Sequence, residues 1–357
     1  MAPDTLRRLD VRRLDVPMRE PFAIAGGSQD VVANVLVRAE LSDGTVGWGE
    51  GAPMPAFNGE TQAGTLAAAA KAAKVLRGVR AGAWGAWGQR LAAMLPGRAA
   101  ARAALETALL DAWTRRLGTP LRVLFGGAED RIVTDVSIPL VSPEAAAEAG
   151  RRIRDFGVKL IKIKVGKEPA ADAARVLAVH RAAPRSRLML DANGGYRVAQ
   201  ALELLSRLRA EGVQPELFEQ PVPEKDLAGL KAVRRRGKIL VAADESASSP
   251  SAILALARAG AVDVVNIKVM KLGLLGSLDC ARLARASGFS LMIGGLVESR
   301  LGMTAAAHLA CGLGSFAYAD LDTPLFFARD PMRGVPIRHG GLYDLSKVRA
   351  GVGVVPA

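Results

Sequence analysis

Three carboxylates each close an apolar run: Asp191 after Leu188-Met189-Leu190, Glu219 after Leu217-Phe218, and Asp244 after Val241-Ala242-Ala243. If each run is a strand of one barrel, the three anions converge at its mouth and demand a cation. Ligation by oxygen alone, without His or Cys, suits a hard ion that keeps positions open for a substrate, which points to Mg2+ over Zn2+. The competing reading is that each acid caps the helix that follows it. Three in register argue against it.

In Lys162-Ile163-Lys164 the two lysines sit two apart, so on a strand both side chains point the same way. Burying both is costly unless they work, the alternative being a solvated pair at a strand end. Desolvation, the neighbouring like charge and a metal are expected to depress lysine basicity, which suits a general base near neutrality. Lys268 lies four strands after Lys164, and in a ring of eight strands that is the opposite side. Such a pair fits reversible proton abstraction next to a carboxylate: one lysine takes the proton, the metal stabilises the enediolate, and the other lysine returns a proton to the opposite face.

The positions of these groups predict the elements that hold them. From Lys164 through Asp191, Glu219 and Asp244 to Lys268 a charged residue recurs every 24 to 28 residues, and Asp320 follows after two such intervals. Eight β-branched or apolar runs, at residues 132–138, 159–165, 187–191, 216–220, 239–244, 264–269, 290–295 and 316–322, alternate with Ala/Arg/Leu helical patterns. This predicts an α/β chain with a (β/α)8 TIM-type barrel over residues 126–323, its chemistry at the C-terminal strand ends. Residues 1–125 read differently, as a hairpin around Ser42-Asp43-Gly44 followed by Ala-rich helices, an α+β capping domain. Residues 324–357 are expected to return to it.

Of the 357 residues 48 are Lys or Arg and 35 are Asp or Glu, a net charge of +13. The arginines are spread along helical patterns, with Arg234-Arg235-Arg236 the one dense run, and only three tyrosines are present. Neither nucleic acid nor membrane is expected as a partner; homo-oligomerisation is left open. No run has the roughly 18 apolar residues of a membrane span, and residues 1–16 lack a signal-peptide pattern, so a cytoplasmic location is expected. Cys280 and Cys311 read as buried thiols, and His180, His308 and His339 as packing or surface residues.

Lys162 to Gly166 (KIKVG), Asp191 to Tyr196 (DANGGY), Phe218 to Pro221 (FEQP), Ala243 to Ser246 (ADES) and Asn266 to Leu274 (NIKVMKLGL) together resemble the enolase superfamily, specifically its muconate-lactonizing-enzyme subgroup, whose sites pair a Lys or His base with Mg2+. The resemblance extends to the N-terminal module through residues 47–61, GWGEGAPMPAFNGET. It implies metal ligation by Asp191, Glu219 and Asp244, acid/base roles for Lys164 and Lys268, a supporting role at the substrate for Lys162, and Asn193 and Glu245 beside the ligands. The subgroup holds cycloisomerases, N-acylamino-acid racemases and dipeptide epimerases. Asp320 and Asp322 look like the Asp-x-Asp of the dipeptide epimerases, two carboxylates that can hold a substrate α-ammonium; the alternative is turn or N-cap chemistry before Thr323-Pro324. The expected reaction is therefore Mg2+-dependent inversion of the α-carbon of a dipeptide's C-terminal residue. Members acting on Ala-Glu carry an arginine in the loop near residue 27. Residues 22–28 here read FAIAGGS, so an apolar second residue is expected, with Ile24, Leu296 and Phe57 as apolar surface and Ser137 as a further substrate contact. Arg19 lies near enough to substitute for that arginine. The rivals are another activity of the same subgroup, a Schiff-base lyase using Lys164, and a non-catalytic anion-binding barrel.

Overall fold

The computed structural model describes the backbone of residues 2–24 and 27–357 and the side chains of residues 2–19 and 31–357. Strands β1 (Leu6–Ile24), β2 (Gly27–Leu41) and β3 (Val46–Gly51) form an antiparallel sheet with β2 in the middle. The expected hairpin is β2–β3. Asp43 accepts from the Thr45 N–H at 2.9 Å, and Gly44 takes a φ of 87°, a conformation that favours glycine. The helix Ala99–Arg116 lies directly on β3. A side chain at Gly47, Gly49 or Gly51 would strike the backbone of Ala112, of Ala104 and Ala108, or of Ala100. Glycine at every second strand position thus faces alanine at every fourth helix position, and the two backbones close together.

Strand β4 (Arg131–Val133) precedes the barrel strands β5 (Val136–Ile138), β6 (Leu160–Lys164), β7 (Arg187–Asp191), β8 (Leu217–Glu219), β9 (Leu240–Ala243), β10 (Val264–Lys268), β11 (Ser290–Gly294) and β12 (Phe316–Asp320). β5 to β12 form one eight-stranded sheet in chain order, and each neighbouring pair is parallel. The last strand returns beside the first: the Asp135 N–H donates to the Ala319 carbonyl at 2.8 Å, and the Ser137 N–H to Asp322 Oδ2 at 2.6 Å. With helices between the strands, this is the expected (β/α)8 architecture. One expected strand divides. Residues 132–138 are not continuous, because Thr134 turns its N–H to Gly341 while Asp135 turns to Ala319, so β4 pairs with the C-terminal segment and β5 with the barrel.

Inward side chains fall into layers set by the period of two. Leu160, Met189, Leu217, Ala242, Val264 and Met292, with Tyr318 packed against them, make an apolar floor. Two residues further along the same strands stand Lys162, Asp191, Glu219, Asp244, Asn266, Gly294 and Asp320. The floor carries the packing and the layer above it the chemistry.

The C-terminal segment contributes β13 (Met332–Gly334), β14 (Ile337–Arg338), β15 (Leu342–Asp344) and β16 (Val354–Pro356), with β15 antiparallel to β4. It also meets the first module. Buried Asp111 accepts from the N–H of Trp48 at 2.8 Å, the N–H of Val352 at 2.6 Å and Arg115 Nε at 2.8 Å. His308 is a packing residue, as expected: Nδ1 accepts from the Arg122 N–H, Nε2 faces the Val352 carbonyl, and burial brings its pKa down to about 4. Cys280 and Cys311 are buried free thiols. Among the described residues no helix is long and apolar enough to cross a membrane.

Candidate active site

The polar layer is built around Lys162, which is 1% exposed. Its Nζ donates to Asp320 Oδ2 at 2.7 Å and lies 2.8 Å from Asp191 Oδ2 and 2.7 Å from Glu219 Oε2. Asp191 and Glu219 are register partners on β7 and β8, and Asp244 directly follows the end of β9. Lys164 Nζ donates to Asp191 Oδ2 at 2.6 Å and to Asn193 Oδ1 at 2.9 Å. From the other side Lys268 Nζ lies 2.8 Å from Asp244 Oδ2.

The expected depression of lysine basicity is not what these neighbours produce at Lys162 and Lys268. Burial works against both ammonium groups. It is outweighed at Lys162 by Asp191, Asp320 and Glu219, and at Lys268 by Asp244 and Glu219, which hold both pKa values above the usual lysine range. The expectation counted desolvation, the neighbouring lysine and a metal; the carboxylates interleaved with the lysines act in the opposite direction.

Lys164 and Lys268 line one cavity of about 40 Å3 together with Asp320 and Asp322. Their strands, β6 and β10, stand four apart in the sheet of eight, so the two amines enter from opposite walls. The capping module supplies the roof. Phe57 and Met54 line the cavity, with Lys268 Nζ 5.3 Å from the Phe57 ring centroid. The loop after β11 brings Leu296 and Val297, and it is tied to the first module: Asn34 Nδ2 donates to the Val297 carbonyl at 2.9 Å, and Ser299 N and Oγ donate to Glu50 at 2.8 and 2.5 Å.

Two carboxylate sets compete as a cation site. Asp135, Asp320 and Asp322 each bring an oxygen within 4.8 Å of the others. Asp320 is held by Lys162, Asp322 accepts from the Ser137 N–H, and burial reinforced by Asp320 favours the protonated form of Asp135, an acid that ligates poorly. Asp191, Glu219 and Asp244 are wholly buried, and Lys162 and Lys268 stand between them, so they are less tightly grouped. Glu219 Oε2 and Asp244 Oδ2 nevertheless have ammonium groups at ion-pair distance with no directed hydrogen bond. Buried carboxylate oxygens are hard donors, and each keeps a further lone pair beside its ammonium contact, which fits Mg2+. On donor chemistry the strand-end triad remains a candidate cation site.

Other expected residues also fall here. Asn193 Nδ2 donates to Glu245 Oε1 at 3.2 Å, and burial, with Asp244 and Asp191, raises the Glu245 pKa to about 8. Ser137 Oγ faces Asp320 Oδ1 at 3.4 Å. The Ile24 side chain lies outside the described residues, and Arg19 donates from Nε to the Phe327 carbonyl at 2.8 Å.

Three partners were missed. Asn266 Nδ2 donates to Glu219 Oε1 at 2.6 Å, and Lys271 Nζ donates to Asp244 Oδ1 at 2.7 Å and to the Asn266 carbonyl at 2.8 Å. Asn266 shares strand parity with Lys268 and was legible. Lys271 lies one helical turn beyond it, which strand spacing does not reach. Asp135, two before Ser137, was legible by the same parity.

The sequence matches two family descriptions: "Mandelate racemase / muconate lactonizing enzyme, N-terminal domain" over residues 8–126 and "Enolase C-terminal domain-like" over residues 144–357. It is 45% identical to an aromatic dipeptide epimerase of Herpetosiphon aurantiacus, covering 99% of each chain. It is 39% identical to a hydrophobic dipeptide epimerase of Citrifermentans bemidjiense, covering 95% of each. The solved dipeptide epimerase of Enterococcus faecalis, complexed with Mg and L-Leu-L-Tyr, superposes with a TM-score of 0.94 at 32% identity, covering 98% of this chain and 99% of that one.

Proposed function

The chain belongs to the mandelate racemase/muconate lactonizing enzyme family of the enolase superfamily, and from that premise we propose that it is a Mg2+-dependent dipeptide epimerase. The observation that carries the reading is the one cavity in which amines from opposite walls, Lys164 and Lys268, meet the Asp320–Asp322 pair. The dipeptide's α-ammonium binds that pair, and the α-carbon of its C-terminal residue lies between the lysines. Asp191, Glu219 and Asp244 hold the cation. Mg2+, when bound, supplies positive charge to the substrate carboxylate as negative charge grows on it.

The proton transfers then belong to the chain. A neutral Nζ at one lysine takes the α-proton, and the ammonium of the other delivers one of its protons to the opposite face. The two lysines exchange protonation states and the carbon inverts; exchange of their protons with solvent, or the reverse reaction, resets them. Lys162 offsets charge among Asp191, Glu219 and Asp320. Phe57, Met54 and Leu296 favour an apolar side chain on the second residue, in keeping with relatives named for aromatic and hydrophobic dipeptides.

A dipeptide library incubated with enzyme and Mg2+ in deuterium oxide tests this by mass shift. Deuterium at the C-terminal α-carbon of dipeptides with apolar second residues is the expected result. No incorporation into any dipeptide, with incorporation into N-acylated amino acids instead, overturns it.

A further inference from the structure

Asp135 is a carboxyl set at the level of the barrel's apolar floor. Strand pairing puts Ser137 opposite Lys162, so Asp135, two residues earlier, stands level with Leu160 and with the Met, Leu, Ala and Val of the neighbouring strands. It is 1% exposed and does not line the cavity. Its backbone N–H is used by Ala319, and neither carboxyl oxygen has a hydrogen-bond partner. One of those oxygens lies within 4.8 Å of an oxygen of Asp320 and of Asp322.

Three buried carboxyls this close do not all ionise. Asp320 is supported by the Lys162 ammonium at 2.7 Å, and Asp322 by the Ser137 N–H at 2.6 Å. Asp135 accepts from nothing, so its ionised form is the least supported of the three. The charged groups facing it agree. Burial, Asp320 and Asp322 on the β12 side and Glu219 on β8 all favour its protonated form, and Lys162 on β6 opposes them. A protonated carboxyl is a donor. The carboxylates that could accept from it stand at the level above.

We propose that Asp135 is a positioning residue: a buried carboxylic acid whose hydroxyl donates to the Asp320–Asp322 pair from the floor side and fixes the orientation and total charge the pair presents to the substrate ammonium. The inference rests on the ammonium-binding reading of that pair.

The test compares Asp135→Asn and Asp135→Leu in the Mg2+-loaded enzyme, with kcat and KM for Ala-Phe and N-acetyl-Ala-Phe, and an infrared difference spectrum of wild type against Asp135→Asn. Asparagine keeps shape and a donor, so KM for Ala-Phe should stay within about threefold of wild type. Leucine leaves the pair without its donor, and KM should rise about tenfold or more with kcat changing less. The wild-type spectrum should carry the carbonyl stretch of a protonated carboxyl that Asp135→Asn lacks. Absence of that band, or a KM rise in Asp135→Asn matching that of Asp135→Leu, overturns the proposal. If the leucine variant does not fold, the band and the asparagine variant decide. Wild type turning over both substrates equally would sink the ammonium reading instead, while leaving the infrared result standing.

Discussion

Lys162 Nζ on β6 donates past β5 to Asp320 Oδ2 on β12 at 2.7 Å, while lying within 2.8 Å of Asp191 and 2.7 Å of Glu219. One buried ammonium therefore joins the carboxylates assigned to the cation with those assigned to the substrate ammonium.

Lys162→Met should strip these acids of their shared counter-charge. Breaking a buried ion pair by removing one partner costs about 3–5 kcal/mol. Because a cation bound to the native state adds stability by mass action, Mg2+ should raise the melting temperature of the variant more than that of wild type. Thermal unfolding with EDTA and with saturating Mg2+ measures both; an equal Mg2+ effect in the two proteins would contradict the shared-charge account.

Asp322 should give substrate binding a pH dependence. Burial, with Asp320 adding to it, raises its pKa to about 7, so acidification through that value removes negative charge from the ammonium site. KM for a free dipeptide should rise as pH falls from 7.5 to about 5.5, a window in which the peptide α-amine, with a pKa of about 7.7–8.0, stays mostly charged. Asp322→Asn should raise KM roughly 5- to 100-fold at neutral pH and flatten the profile. A steeper profile in the variant would refute the assignment.

Stability should fall as pH rises through neutrality. Burial lifts the Glu106 pKa to about 7, and burial with Glu50 beside it lifts that of Glu298 to about 8. Both values exceed the unfolded glutamate value of about 4.3, so the native state binds more protons than the unfolded state between them. That stability is fully present below about pH 4 and is lost as pH passes 7 to 8. Urea unfolding at pH 5.5 and 8.5 should show the drop, and Glu106→Gln should shrink it. An unchanged drop in Glu106→Gln would remove that residue from the account.

Much of the site was legible because a barrel converts spacing into convergence. Asp191, Glu219 and Asp244 close successive strands, and Lys164 and Lys268 lie four strands apart, so period and parity alone predicted their meeting. What spacing could not show was which charges would touch. The carboxylates beside Lys162 and Lys268 act to raise the basicity that desolvation, lysine-lysine repulsion and a metal were expected to lower. The break of residues 132–138 into two strands depends on hydrogen bonds from Thr134 to Gly341 and from Asp135 to Ala319, partners 207 and 184 residues away in the chain. The tie between Glu50 and Ser299 is likewise a long-range meeting that no local pattern announces.

The two-base assignment is tested most directly by α-proton exchange in deuterium oxide, with Lys164→Ala and Lys268→Ala each given Ala-L-Phe and Ala-D-Phe in the presence of Mg2+. Loss of a general acid or base typically costs about 10²–10⁴-fold in rate, so neither variant should epimerize appreciably. Each should still place deuterium in one epimer, and the two variants should choose opposite epimers. Epimerization at the wild-type rate by either variant, or exchange of the same epimer by both, would contradict the account.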